Sequence, residues 1–360
     1  MKYDYLVVGA GIYGAVFAER IKNQGKTALV IDKRPHIAGN CYTKPVENIH
    51  VHQYGPHIFH TNKKEVWDYL NKFTQFNSYR HTGKASYQGR IFSFPINLMT
   101  FQQIWGIKTP AEATQKLQDL CIPIENPKNM EEWCLSKIGP LLYEMFVKHY
   151  SIKQWKKHPK DLPASIVRRI PIRLTFNEDY YEHALYQGIP VGGYTNMIKN
   201  MLDGVSVELG VDFNEIKSRW KDYAQKLVYC GPIDQYFDYE FGELEYRSLR
   251  WDTQVFDGDY QGCSIINYTG PNVGYTRCIE HKHFEFDKHE KTVVSWEHPT
   301  SWKETKEPYY PINDEQNNQK YQSYKALKSN DVLISGRLGK YKYLDMDDCV
   351  ALALKESANF

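Results

Sequence analysis

Near its start the chain shows two short apolar runs separated by a stretch of helical periodicity. Tyr3–Val8 is a short β-rich run, and Ala15–Asn23 has helical character closed by Gly25. Thr27–Ile31 then reads as a second buried strand ending at Asp32. This predicts a βαβ unit. A mirror of it sits at the far end, with a strand over Asp331–Ile334, a turn at Gly336-Arg337-Leu338-Gly339 and a helix over Met346–Lys355. Between them, Leu98–His158 is rich in helix formers, with candidate helices Pro110–Leu120 and Met130–Lys148. Arg247–Pro311 is richer in Val, Ile, Tyr, Phe and Trp, as strands prefer. Gln187–Gly231 returns to an α/β texture, with a helix over Asn196–Leu202 and a strand over Lys226–Tyr229, and the polar Lys303–Ser329 reads as a loop and exposed helix.

The expected class is therefore α/β: a discontinuous Rossmann-like domain with a helical insert and an antiparallel β-sheet domain. Residues 1–78, 188–246 and 329–360 are assigned to the dinucleotide domain and 97–168 to the helical domain. Residues 79–96, 169–187 and 247–328 are assigned to the sheet domain. At 360 residues, more than one lobe is expected.

Charge narrows the partners. Forty-five basic against 43 acidic side chains leave +2, with no block of like charge, so neither nucleic acid nor an anionic membrane is expected as a partner. Seven scattered cysteines (Cys41, Cys121, Cys134, Cys230, Cys263, Cys278, Cys349) form no C-x-x-C pair and no zinc spacing, which fits reduced thiols in a cytoplasm and no metal. Lys2 and the apolar stretch after it imitate a signal peptide, but Asp4, Gly9, Gly11 and Gly14 argue against one. No apolar run approaches the roughly 18–20 residues that span a bilayer, so a cytoplasmic location without membrane insertion is expected. Tyrosine reaches 28 residues while mean hydropathy is −0.60; such tyrosines either line a site that stacks and hydrogen-bonds or cover surface.

Gly9-Ala10-Gly11-Ile12-Tyr13-Gly14 follows a strand and opens a helix, and Asp32 comes 21 residues after Gly11. Gly9 permits the tight turn, Gly11 lets the backbone approach a pyrophosphate, and Gly14 packs helix on strand. Asp32 binds a ribose 2′-hydroxyl and repels a 2′-phosphate. Arg34-Pro35-His36-Ile37-Ala38-Gly39-Asn40 resembles the second glycine segment of FAD proteins of the glutathione-reductase-like superfamily. The Gly336-Arg337 unit resembles their closing segment beside the flavin. FAD is the expected cofactor.

Further segments carry a more specific resemblance: Tyr54-Gly55-Pro56-His57-Ile58-Phe59-His60-Thr61, Phe94-Pro95-Ile96-Asn97-Leu98 and Tyr150-Ser151-Ile152-Lys153-Gln154-Trp155. Leu162-Pro163-Ala164-Ser165-Ile166 runs into Arg168-Arg169, and Tyr310-Pro311-Ile312 precedes Gly336-Arg337-Leu338-Gly339 and Tyr341-Lys342-Tyr343-Leu344-Asp345-Met346-Asp347. In this order, and over essentially the whole chain, they resemble bacterial UDP-galactopyranose mutases.

The resemblance implies that Gly9, Gly11, Gly14, Asp32, Gly39, Asn40, His60, Gly336, Arg337, Asp345 and Met346 hold FAD. It implies that Phe146 and Tyr150 hold the uracil, with Trp155 supporting that pocket. Arg169 and Arg277 become the catalytic guanidiniums on the diphosphate, a task that suits the planar, permanently charged fork of arginine. Arg247, Tyr180, Asn267, Glu297, Tyr310, Tyr343 and Asp345 complete the substrate site, while His57 is structural and Tyr309 has no role. Pro163 and Pro171 bracket a loop expected to close over the substrate. Ala38 stands where many relatives have glycine, His81 where a relative has asparagine, and Val147 where an aromatic is found.

The activity implied is isomerisation of UDP-galactopyranose to UDP-galactofuranose through a covalent adduct of the anomeric carbon with N5 of reduced FAD, without net redox. Its product serves cell-surface glycans, and the electron donor expected is NAD(P)H. Members of the family are commonly homodimers, and a homodimer is expected here. Two rivals stay open on the residues alone: an amine-oxidase-like flavin oxidoreductase and a non-catalytic flavoprotein that binds UDP-sugars.

Overall fold

The computed structural model describes residues 2–168, 172–305, 307–327 and 329–360. They divide into two compact units, one of Met1–Tyr79, Ala184–Ser248 and Ser301–Phe360, the other of Arg80–His183 and Leu249–Thr300. Residues 97–168 thus share a unit with most of the sheet, and 301–328 lie in the first unit.

Five parallel strands form the centre of the first unit, in the order Val332–Ile334, Ala224–Tyr229, Tyr3–Val8, Ala28–Asp32 and Ser206–Leu209. Successive side chains of a strand point to opposite faces. Tyr5, Val7, Ala28 and Val30 accordingly pack with the helices Ile12–Asn23, Gly193–Met201 and Met346–Asn359, while Leu6, Leu29, Ile31 and Leu227 pack with Phe213, Ile216 and Trp220. Covering both faces explains why Ala28–Asp32 is buried throughout and reads as one unbroken apolar run. The predicted βαβ unit is present, and so is the terminal strand–turn–helix. The strand expected at Lys226 begins at Ala224, which pairs with Tyr3. The last helix continues to Asn359, with Ser357 buried.

In the second unit the strand order is Tyr246–Asp257 (entering the unit at Leu249), Lys291–Ser301, Arg277–Glu280, Ile265–Tyr268, Lys84–Tyr87 and Arg90–Ser93. The sheet is mostly antiparallel, but Ile265–Tyr268 pairs in parallel with Lys84–Tyr87. These two strands come from distant parts of the chain, and a long connection is what parallel pairing requires. Ala85 and Phe92 of the sheet enter one core with Leu98, Phe101, Ala113, Met130, Cys134, Ile138, Leu142 and Phe146 of the helices.

Local signals set the helix ends. Thr109 and Glu112 form a reciprocal cap with Pro110 in the first turn, so Pro110–Leu120 falls where the sequence places it. Met130–Lys148, expected as one helix, is interrupted. Gly139 takes φ 72° and ψ 173° before Pro140, and the helix resumes to Tyr143 and passes into a π-helical turn at Glu144–Lys148. Proline bars the preceding residue from helical dihedrals. Only glycine fits there, because a Cβ on Gly139 would lie 2.5 Å from the Leu120 carbonyl oxygen.

Candidate active site

In the first unit the glycine turn is shaped by close backbone approach. Gly9 has φ 110°, and a Cβ on Gly14 would sit 2.0 Å from the Gly9 carbonyl oxygen. A Cβ on Gly39 would come 3.0 Å from Gly11 Cα, so the two glycine segments are pressed together. Ala38 follows the same turn with φ 73°, a left-handed conformation that glycine adopts without strain, and its N–H donates to the Ala10 carbonyl at 2.8 Å. Asp32 is buried; its Oδ2 accepts from the Ala10 N–H at 2.8 Å and its Oδ1 from the Arg34 N–H at 2.9 Å. The helix Ile12–Asn23 begins at Gly11 without a side-chain cap, leaving its first N–H groups facing the turn. Uncapped donors, glycines without room for a side chain and a carboxylate at the second strand's end fit the pyrophosphate and ribose of a dinucleotide.

The other expected cofactor residues belong to the same unit. Arg34 donates to Asn40 Oδ1 at 3.0 Å, lies over the Tyr54 ring at 4.2 Å and pairs with Glu307 at 2.5 Å. His60 is on the strand Phe59–Thr61, whose Thr61 hydroxyl donates to Asp347 at 2.9 Å in the first turn of the final helix. Asp345 is the N-cap of that helix, and Met346 Sδ lies 3.7 Å from Cys41 Sγ. Gly336 has φ 75°, and Arg337 donates to the Tyr309 carbonyl. Of the expected substrate residues, Arg247 pairs with Tyr310 across two strands, and the Tyr310 and Tyr343 rings stack at 5.9 Å.

In the second unit three expected residues stand in one row. Asn267, Arg277 and Glu297 are direct partners on adjacent strands, so their side chains share a face of the sheet. Glu297 is 1% exposed; it receives Arg277 Nε at 2.9 Å and Arg277 Nη2 on its two oxygens, and the Thr276 hydroxyl at 2.7 Å. A buried carboxylate thus orients the guanidinium of a partly exposed arginine. Asn267 Nδ2 donates to the Lys84 carbonyl at 3.0 Å.

Beside this row lies His81. Burial, and then the positive charge of Arg277, push it down to about 4, so it is a neutral imidazole at physiological pH. Its carbonyl accepts the Tyr180 N–H at 2.7 Å and its ring lies 5.3 Å from the Tyr180 ring. Tyr180 is carried by a strap closed by Arg173, which pairs with Glu182 at 2.8 Å and donates to the carbonyls of Asp179 and Tyr180. Sequence reading treated His81 only as a departure and passed over Arg173 and Thr276, because their roles come from tertiary contacts: a strap closed by Arg173 and the strand pairing that brings Thr276 to Glu297.

The aromatic residues of the helical segment separate by depth. Phe146 is 2% exposed, edge-on to Phe92 at 5.7 Å and stacked on Phe94 at 6.0 Å. Tyr150 and Trp155 are half-buried on the helix His149–Trp155 that continues from the π-helical turn. Arg169, with Ile170 and Pro171 of the loop expected to close, lies outside the described residues; the helix before it is Ser165–Arg168.

The family profile described as UDP-galactopyranose mutase matches residues 145–343, and one described as a NAD(P)-binding Rossmann-like domain matches residues 7–73. A Klebsiella pneumoniae protein named "Probable UDP-galactopyranose mutase" is 40% identical over 99% of this chain and 94% of its own length. The chain belongs to the UDP-galactopyranose mutase family. It is an isomerase of that family. An Escherichia coli relative named dTDP-fucopyranose mutase is 37% identical over 97% of this chain and 96% of its own. A crystal structure of a reduced UDP-galactopyranose mutase superposes with a TM-score of 0.75, covering 99% of this chain and 93% of that one at 13% identity, a likeness of fold. Among the described residues no helix is long and apolar enough to cross a membrane.

Proposed function

We propose that the chain interconverts UDP-galactopyranose and UDP-galactofuranose, with FAD in the glycine turn of the first unit and the diphosphate on Arg277. The observation that carries this reading is the row Asn267–Arg277–Glu297: a guanidinium held bidentately by a buried carboxylate is pre-oriented for an anion. Gly9, Gly11, Gly14, Asp32, Gly39, Asn40, His60, Gly336, Arg337, Asp345 and Met346 hold the FAD. When bound in its reduced form, FAD supplies a nucleophile, N5, for covalent catalysis at the anomeric carbon without net oxidation.

The chain's own residues hold and release UDP. Arg277 stabilises the charge that grows on the departing diphosphate, with Arg169 as its partner. Tyr180, Asn267 and the neutral His81 supply hydrogen bonds around the sugar and phosphates. Phe146, Tyr150 and Trp155 hold the uracil. Arg247, Tyr310, Tyr343 and Asp345 complete the site. This reading carries with it a cytoplasmic homodimer, NAD(P)H as electron donor and delivery of the furanose to cell-surface glycans.

The test is anaerobic turnover of UDP-galactofuranose with and without dithionite, alongside dTDP-fucopyranose because of the E. coli relative. Activity that requires reduction and prefers UDP-galactofuranose is expected; equal turnover by fully oxidised enzyme overturns the reading, and preference for the dTDP sugar moves the substrate. Arg277→Ala removes a charged hydrogen bond to phosphate worth about 2–3 kcal/mol, roughly a 30- to 150-fold loss of turnover, with flavin still bound. Arg277→Lys restores only part, since it lacks the fork.

A further inference from the structure

We infer that Lys153 is a positioning residue: its ammonium locks the helix that bears Tyr150 and Trp155 onto the hairpin that bears Asn267 and Arg277, and so sets the spacing between base and diphosphate recognition. The inference rests on the nucleotide-sugar reading proposed above. Lys153 Nζ donates to three main-chain carbonyls, those of Tyr268 at 2.6 Å, Gly270 at 2.9 Å and Tyr275 at 3.0 Å. All three belong to the hairpin connecting Ile265–Tyr268 to Arg277–Glu280. An ammonium has three N–H donors, and each is used; a neutral amine has two and leaves one carbonyl unserved.

Burial, then the charge of Lys156, push Lys153 down to about 8. Lys156, Lys157 and His158 line the same cleft on the helix side. From the hairpin the titratable groups are Tyr268 and Tyr275, both raised by burial and therefore neutral. The lock is closed below about pH 8 and loses a donor above it. Linkage to global stability runs the other way. The folded-state value is depressed below the unfolded value of about 10.4, so this group's contribution to stability rises between those two values. A purely structural lysine moves stability without touching nucleotide affinity; a positioning lysine separates the two.

The experiment compares holoenzyme of wild type, Lys153→Met and Lys153→Arg. UDP affinity is measured by calorimetry from pH 6.5 to 9.5, with KM and kcat on UDP-galactofuranose and thermal unfolding at each pH. Lys153 does not itself touch the nucleotide, so only part of a lost hydrogen bond reaches UDP affinity, a change of about tenfold. The wild type is expected to bind UDP about tenfold more weakly at the alkaline end without losing thermal stability in step. Lys153→Met is weak and flat with pH, its loss falling on KM more than kcat; Lys153→Arg keeps affinity and loses the alkaline decline. A Lys153→Met enzyme with wild-type affinity and the same decline overturns the inference. If that variant does not fold, UDP affinity of the wild type that is constant across this range overturns it equally. A wild type that binds no UDP at any pH refutes the function and the inference with it, and is distinguishable from both.

Discussion

Glu297 is the residue whose removal most directly separates arginine placement from arginine charge. Its carboxylate is 1% exposed and accepts from Arg277 Nε, Arg277 Nη2 and the Thr276 hydroxyl. Breaking a buried ion pair by deleting one partner costs about 3–5 kcal/mol, because the other charge is left uncompensated. Arg277 keeps 23% of its side chain exposed, so water recovers part of that loss, and about 3 kcal/mol is expected for Glu297→Ala. Glu297→Gln preserves the shape and one acceptor and should cost about 1–2 kcal/mol. Urea unfolding of each variant at one pH reads the difference directly, provided the slope with denaturant is unchanged. UDP calorimetry on the same samples should show roughly tenfold weaker binding in Glu297→Gln, since a freed guanidinium must be re-ordered on each binding event. Glu297→Ala within about 0.5 kcal/mol of wild type, and with undiminished UDP affinity, would refute the view that this carboxylate orients Arg277.

Two further predictions concern acid and the cofactor turn. His81 is pushed down to about 4 and His281, buried against the Ser295 hydroxyl at 2.8 Å, to about 3. Both are bases with depressed folded-state values, so the unfolded chain takes up protons first. The stability they contribute is whole above about pH 6.5 and falls toward pH 4 by up to about 1.4 kcal/mol per pH unit for each. Denaturation midpoints measured across that range should show the slope, and His81→Asn should remove its share; an unchanged slope tells against a buried neutral His81. Gly14→Ala places a Cβ 2.0 Å from the Gly9 carbonyl oxygen and 3.2 Å from Val7 Cγ1, so the turn must move. Purified Gly14→Ala is expected to lose most of its flavin by absorbance, whereas full flavin content with unchanged stability sinks the steric argument.

Short-range chemistry in the chain foretold the Rossmann-like core well. The turn from Gly9 to Gly14, the strand ending at Asp32 and the closing helix from Met346 depend on residues adjacent along the backbone, where spacing and conformational freedom act directly. The helix Pro110–Leu120 was legible from its helix-forming residues, and its Thr109–Glu112 cap fixes its start. The break at Gly139-Pro140 had a local signal too, but helical composition on both sides masked it.

The residues proposed for the substrate were nameable by type and resemblance, yet their arrangement was not. That Glu297 serves Arg277, that Asn267 stands in the same row, and that His81 is neutral beside them all follow from the register between strands distant along the chain. Lys153 likewise finds its three carbonyls more than a hundred positions away, at separations of 115, 117 and 122 residues. Sequence alone determined the strands and helices of the Rossmann-like core and where its glycine turn must lie, because those are set by local backbone preferences. Only the tertiary structure decided which charges meet and which are buried, because a one-residue shift of strand register turns a side chain to the opposite face and changes its partner.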